Sequence, residues 1–276
     1  RVKNIEVDFG ARKLAIDVPR SAVVAEFQEP ERHSEPRRAV EEAIANPIGA
    51  PSLESLIKPG MTVAIGHDDP TKPPPPWQCI LGVVVDKLLA AGVRKEDIVF
   101  ICANGNHKKW TDSELRHFLG DEIFNAFHPT GQITNHDCLD PAGLIDFGRT
   151  PGGVVVEHNR RFLESDLMLY VGQVVAHSWG GYTGTGAAIG MASTRSIASH
   201  HNHRVVNHAD STIGDHRRNY FRQLKAEINA GIEAATGKRI FYINWIGGTR
   251  TVPDDPGYQI WQSYNALSTG GLVGVG

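Results

Sequence analysis

Residues 61–76 read MTVAIGHDDPTKPPPP, an apolar run that passes without a spacer into a polar, proline-rich one. Continuous rather than alternating apolar character over residues 61–66 predicts a strand buried on both faces, as in a parallel sheet covered by helices. Its carboxyl end delivers His67, Asp68, Asp69, Thr71 and Lys72 into a loop that prolines stiffen. In open α/β sheets ligands bind at such strand ends. The same residues also suit a rigid connector whose aspartates cap a turn, so this stretch decides the fold and leaves the function open.

Working outward, the pattern repeats. Residues 77–91 have the length of a helix, and residues 97–102 (DIVFIC) form the next apolar strand, ending in Asn104-Gly105-Asn106-His107. Thr111 and Glu114 then have capping-box spacing, which starts a helix. A polar turn is expected at 134–138, strands at 144–148 and 154–157, a short helix at 159–165, and a buried strand at 167–172 (LMLYVG) that leads to His177. Three strands therefore end in His67 and Asp69, in His107 and in His177. That convergence indicates a cleft.

Toward the N-terminus, alternation at 4–9 and 13–18 around Gly10-Ala11-Arg12 predicts a hairpin, and residues 35–45 a helix. Toward the C-terminus, residues 215–236 place Tyr220, Leu224, Ile228 and Ile232 on one helical face closed by Gly237, and 239–245 (RIFYINW) is a last strand. Residues 258–267 suit a short helix that opens a second lobe. The expected fold class is α/β and Rossmann-like, a mostly parallel sheet flanked by helices with its active cleft facing a second α/β domain. Residues 1–248 would form the first domain and residues 249–276 a fragment of the second.

Composition narrows the function. With 276 residues, 41% of them hydrophobic, the chain can bury a large core, and a net charge of −3 gives no basic excess for nucleic acid or an anionic membrane. Cys79, Cys102 and Cys138 are scattered and odd in number, which fits a reducing cytoplasm rather than a disulfide framework. No apolar run is long enough to cross a bilayer and no signal-peptide layout precedes the fold. The first residue is Arg, so the natural N-terminus is expected to lie outside this sequence.

Residues 176–203 (AHSWGGYTGTGAAIGMASTRSIASHHNH) are the least ordinary stretch: glycines too dense for a regular element, closing on His200, His201 and His203. From the residues alone the histidines suit either a surface metal patch or helix-end caps. His67, His136 and Asp137 are structural or site-adjacent candidates.

Four motifs together resemble the lactate racemase family, whose members racemise or epimerise 2-hydroxy acids with a nickel-pincer nucleotide. Asp69-Pro70-Thr71-Lys72-Pro73 is similar to the family's Asp-x-Thr-Arg-Pro loop, with lysine where arginine is usual. Gly105-Asn106-His107 resembles its Gly-Thr-His segment. Ala176-His177-Ser178-Trp179-Gly180-Gly181-Tyr182-Thr183-Gly184 resembles its Pro-His-x-x-Ala-Gly-Phe-Ser-Gly segment, and Asn202-His203 matches its nickel-ligating Asn-His. The likeness runs from the hairpin to about Trp245 and resumes near Tyr258.

The resemblance implies catalytic roles for His107 and His177, a nickel-ligand role for His203, and cofactor contacts from Asp69, Thr71, Lys72, Thr183, Gly184, Gly186 and Ala187. Lys72, Gln259 and Gln262 would contact substrate. Two departures matter. Members with a tethered cofactor carry lysine ten residues beyond the second histidine, where this chain has Ala187, so the pincer nucleotide is expected to be held without a covalent bond. Gln262 replaces a substrate-binding lysine, and with Lys72 for arginine this points to an acid longer or more polar than lactate. Family members are also longer, so residues are expected to be absent near 248–252 and after 276.

The chemistry explains the residue types. A hydrogen on the carbinol carbon beside a carboxylate is very weakly acidic, so hydride removal to an electrophilic cofactor through a 2-keto acid is the plausible route. Two histidines on opposite faces then handle the hydroxyl protons of the two enantiomers near neutral pH. The expected partner is a small 2-hydroxy acid, with no nucleic acid or membrane, and self-association into a homo-oligomer is left open. Two other readings compete: a non-catalytic carrier of the pincer nucleotide, and a hydro-lyase or hydrolase whose metal is held directly by His203 with His200 or Asp69.

Overall fold

The computed structural model describes residues 1–9, 12–24, 35–72, 77–184, 188–215, 217–247 and 258–263. An antiparallel hairpin of β1 (Val2–Phe9) and β2 (Arg12–Pro19) comes first, with Phe9 opposite Arg12. The central sheet contains β3 (Val63–His67), β4 (Ile98–Cys102), β5 (Ile133–Asn135), β8 (Leu167–Gln173), β11 (Ile240–Gly247) and β12 (Tyr258–Ser263). Between β5 and β8 lies the antiparallel pair β6 (Leu144–Arg149) and β7 (Val155–Asn159), and after β8 the two-residue strands β9 (Ala176–His177) and β10 (Gly181–Tyr182). The helices are α1 (Pro36–Ala45), α2 (Leu53–Leu56), α3 (Trp77–Ala90), α4 (Asp112–Leu119), α5 (Asp121–Phe127), α6 (Arg160–Glu164), α7 (Thr194–His200), α8 (His203–Val206) and α9 (Tyr220–Thr236).

The central sheet runs β12-β11-β8-β3-β4-β5, parallel except for β12. Both of its faces are buried. On β3, β4, β8 and β11 the residues Val63, Ile65, Ile98, Phe100, Leu167, Leu169, Phe241 and Ile243 belong to one core, shared with α1, α3, α4 and α5. The alternate residues Ala64, Val99, Ile101, Met168, Tyr170, Ile240 and Tyr242 belong to a second core, shared with α6, α9 and β7. Period-two alternation between two apolar layers is why these strands read as unbroken apolar runs.

Several local expectations hold. Thr111 caps α4 while the Glu114 carboxylate accepts from the Thr111 N–H at 2.9 Å, the reciprocal box that the spacing required. Others change. Residues 134–138 were expected to be a polar turn, but Ile133–Asn135 adds β5 to the sheet edge, where the Asn135 side chain bonds both the N–H and the C=O of Trp110 at 2.9 Å. The helix expected from 215 starts at Tyr220, because Asn219 turns its side chain onto the Arg222 N–H and so caps it there. The helix expected at 258–267 is replaced by strand β12, which lies on the sheet edge with Gln259 opposite Ile246 and Gln262 opposite Ile243. Tyr258, Ile260 and Trp261 are residue types that favour a pleated edge over a short helix.

Candidate active site

From β3 the chain steps one way to β4 and β5, then returns to β3's other side for β8 and β11. The order reverses at β3, and at such a switch point the loops leaving neighbouring strands part to open a crevice. Asp68 stands directly at this point. Its carboxylate, 6% exposed, accepts from Tyr170 Oη at 2.8 Å, Lys72 Nζ at 2.7 Å and the Gln173 N–H at 2.8 Å. It thereby ties the loop after β3 to the end of β8. Burial, with Asp68 beside it, raises the Tyr170 phenol far above its usual pKa, so it remains a donor.

The next residue connects to β4. Asp69 Oδ2 lies 2.6 Å from His107 Nδ1, and Asp69 Oδ1 accepts from Thr71 Oγ1 at 2.5 Å. A tight turn presents the histidine: the His107 N–H bonds the Asn104 carbonyl at 2.7 Å, and Gly105 between them has φ +51°. With Nδ1–H donated to a buried carboxylate, the ring offers its Nε2 lone pair to whatever enters the crevice. Its side chain is 59% exposed.

His177 arrives on β9. The β9–β10 hairpin is fixed to the end of β8 by Thr183, whose hydroxyl donates to the Gln173 carbonyl at 2.7 Å and whose N–H donates to Val175 at 2.9 Å. That commits the Thr183 amide to the fold. His177 Nδ1 accepts the Gly180 N–H at 2.9 Å, and its ring packs against Trp179 at 4.8 Å and Phe221 at 6.2 Å between centroids. Burial, then the charges of Lys225 and Lys72, lower its pKa. Gly181 has φ +72°, and a Cβ there would lie 2.2 Å from the Asp215 carbonyl oxygen, so part of the glycine run serves the chain's own packing.

The remaining candidates are placed as follows. Gly184 has φ +77° and abuts Val174 and Asn244, while Gly186 and Ala187 lie outside the described residues. His203 is exposed at the first turn of α8. His200 is fully buried, stacked on Phe221 at 5.6 Å, and burial pushes its pKa down to about 3. His136 is a structural group, with Nε2 3.0 Å from the Ala192 carbonyl. Among the described residues no three or more His, Cys, Asp or Glu side chains gather into a metal-holding group.

Sequence reasoning passed over three residues. Asp68 and Tyr170 form the junction just described, signalled only by a second aspartate beside Asp69. Lys225, 6% exposed, lies on the buried stripe of α9 with Phe221 and Ile228. A lysine four residues after an apolar position and three before another was the available signal.

Fold and site together define a doubly wound α/β protein with its candidate chemistry at the switch-point crevice. Residues 9–214 match the lactate racemase N-terminal domain, and the chain belongs to that family. It is 26% identical over 210 residues to the lactate racemase of Lactiplantibacillus plantarum, covering 75% of this chain and 47% of that one. With the lactate racemase of Thermoanaerobacterium thermosaccharolyticum it shares 25% over 204 residues, 72% of this chain and 46% of the relative. The apoprotein structure of a lactate racemase from the latter organism superposes with a TM-score of 0.76 at 21% identity, covering 97% of this chain and 60% of that one. A Thermotoga maritima protein structure gives a TM-score of 0.61 at 18% identity, covering 86% and 56%. The chain spans about half the length of the curated relatives it matches.

Proposed function

We propose that this chain is the catalytic, cofactor-binding part of a racemase or epimerase of 2-hydroxy acids that works with a nickel-pincer nucleotide. The residues suit such a group in two ways. Buried positive charge at Lys225 and Arg222 beside the crevice favours an anionic nucleotide, and exposed His203 offers an imidazole of the kind nickel accepts alongside sulfur donors. When bound, the nucleotide would supply hydride-acceptor chemistry toward C2 of the substrate, which no side chain offers. Ala187 in place of the tethering lysine makes the hold non-covalent, through His203, Asp69, Thr71, Lys72 and the backbone at Gly184.

The chain's own residues manage the protons. His107, oriented by Asp69, accepts the hydroxyl proton at Nε2 of one enantiomer. His177 serves the other face, and it becomes a base at Nε2 once its ring gives up the Gly180 N–H or turns over. Trp179 and Phe221 keep water from that side. Lys72 meets the substrate carboxylate as a point charge, and glutamine rather than lysine at position 262 favours an acid longer or more polar than lactate.

The observation that carries this reading is the 2.6 Å contact of Asp69 with His107 at the sheet's switch point. Chiral chromatography of D- and L-2-hydroxy acids after incubation with cofactor-loaded protein tests it. His107→Ala and His177→Ala should each lower racemisation by about 10²–10⁴-fold. Full turnover in both variants contradicts the mechanism, and strong preference for lactate contradicts the substrate class.

A further inference from the structure

We propose that Lys225, in the second turn of α9, is an oxyanion-binding residue of the crevice, and that its ligand is a phosphate monoester. Lys225 is 6% exposed, and among the described residues its ammonium has no hydrogen bond and no ion pair. Among the described residues its ammonium lies over the face of Phe221, 4.6 Å from Nζ to the ring centroid. A buried lysine without an acid is costly, and natural proteins rarely keep one except for function.

Its surroundings indicate what it would bind. Phe221 packs against Trp179 at 4.4 Å and against His177 at 6.2 Å, so the ammonium shares one aromatic cluster with the candidate catalytic histidine. Buried Arg222 lies three residues earlier on the same helix, with a guanidinium nitrogen donating to the Tyr182 carbonyl at the mouth of the glycine run. Lys72 is the third charge felt at this position and is already paired with Asp68. Burial first, then Arg222 and Lys72, hold the Lys225 amine well below the usual lysine pKa. An arriving anion would supply the missing counter-charge. A phosphate monoester, dianionic near neutral pH and with several acceptor oxygens, matches this positive field better than a monocarboxylate.

That the phosphate belongs to a bound nucleotide rests on the function proposed above; the oxyanion site does not. It also gives a physical reason why a chain with Ala187 could retain a nucleotide: a buried charge pair takes over from a covalent bond.

Isothermal titration of the purified 276-residue chain with inorganic phosphate, and separately with lactate, tests the proposal without cofactor or turnover. Phosphate should bind the unsubstituted protein and raise its melting temperature, should bind about tenfold or more weakly to Lys225→Met, and should be restored in Lys225→Arg. Absence of any phosphate effect on the unsubstituted protein overturns the proposal, as does equal phosphate affinity in Lys225→Met. A loss in Lys225→Met confined to lactate overturns the assignment to phosphate. Because no racemisation is measured, these outcomes stand whether or not the proposed activity is found.

Discussion

Asp69 Oδ2 and His107 Nδ1 are 2.6 Å apart, although 38 positions separate them in the chain. The contact joins the loops after two adjacent parallel strands, and it fixes both the orientation of the imidazole and which nitrogen carries the proton.

Asp69→Asn should therefore lower kcat by at least about tenfold while leaving KM within a few-fold, as expected when a proton-transfer group loses its orientation but substrate binding survives. Steady-state kinetics in both directions, with circular dichroism to verify the fold, is the measurement. A change confined to KM would show that Asp69 holds substrate rather than His107.

The half-buried imidazole of His177 has its pKa lowered by burial, then by Lys225 and Lys72. A base with a lowered pKa stays deprotonated further into acid. The acidic limb of the kcat/KM profile governed by His177 should then fall below the ordinary histidine value of 6.5 and disappear in His177→Gln. A limb at or above that value would contradict the placement of His177 beside two lysines.

Two deeply buried histidines make stability depend on pH. Burial lowers His67 to about 4 and His200 to about 3, while both titrate near 6.5 in the unfolded chain. Below 6.5 the unfolded chain binds protons that the folded one refuses, so their contribution is complete above 6.5 and declines as the pH falls toward 4. At pH 5 the loss should be on the order of 2 kcal/mol for each histidine. Urea unfolding at pH 7.5 and pH 5 measures it, and His200→Phe should flatten the dependence.

Glycine substitutions separate backbone strain from collision. Gly60 has φ +76° with nothing within 4 Å of a built Cβ, so Gly60→Ala should cost only the strain, about 1 kcal/mol. Gly181→Ala adds a Cβ 2.2 Å from the Asp215 carbonyl and should cost clearly more, with the β9–β10 hairpin displaced. Equal melting temperatures for the two variants would contradict the packing of that hairpin.

The parallel core was legible because β3, β4, β8 and β11 are buried on both faces, so their apolar runs had no competing reading. The ends of elements were less legible. Nothing local told Asn219 to cap α9 rather than Asp215, and β12 depends on the neighbouring strand β11 rather than on its own period. In the candidate site, the positions of His107 and His177 at strand ends were legible because each follows a buried strand, and the structure adds the contacts each ring makes. Asp68 was hidden because adjacent aspartates are ordinary turn residues until Tyr170 and Gln173, over 100 positions away, arrive to bond one of them. Lys225 was hidden because a lysine on a helix usually points to water. Its burial against the Phe221 ring makes the residue exceptional.

The most direct test of the central claim follows the hydrogen at C2. A 2-hydroxy acid that the loaded protein racemises, labelled with deuterium at C2 and incubated in ordinary water, should yield product of opposite configuration with its deuterium retained, because a hydride that leaves and returns does not exchange with solvent. Loss of the label to water in step with inversion would show that a side chain removes C2 hydrogen as a proton, and would contradict the account.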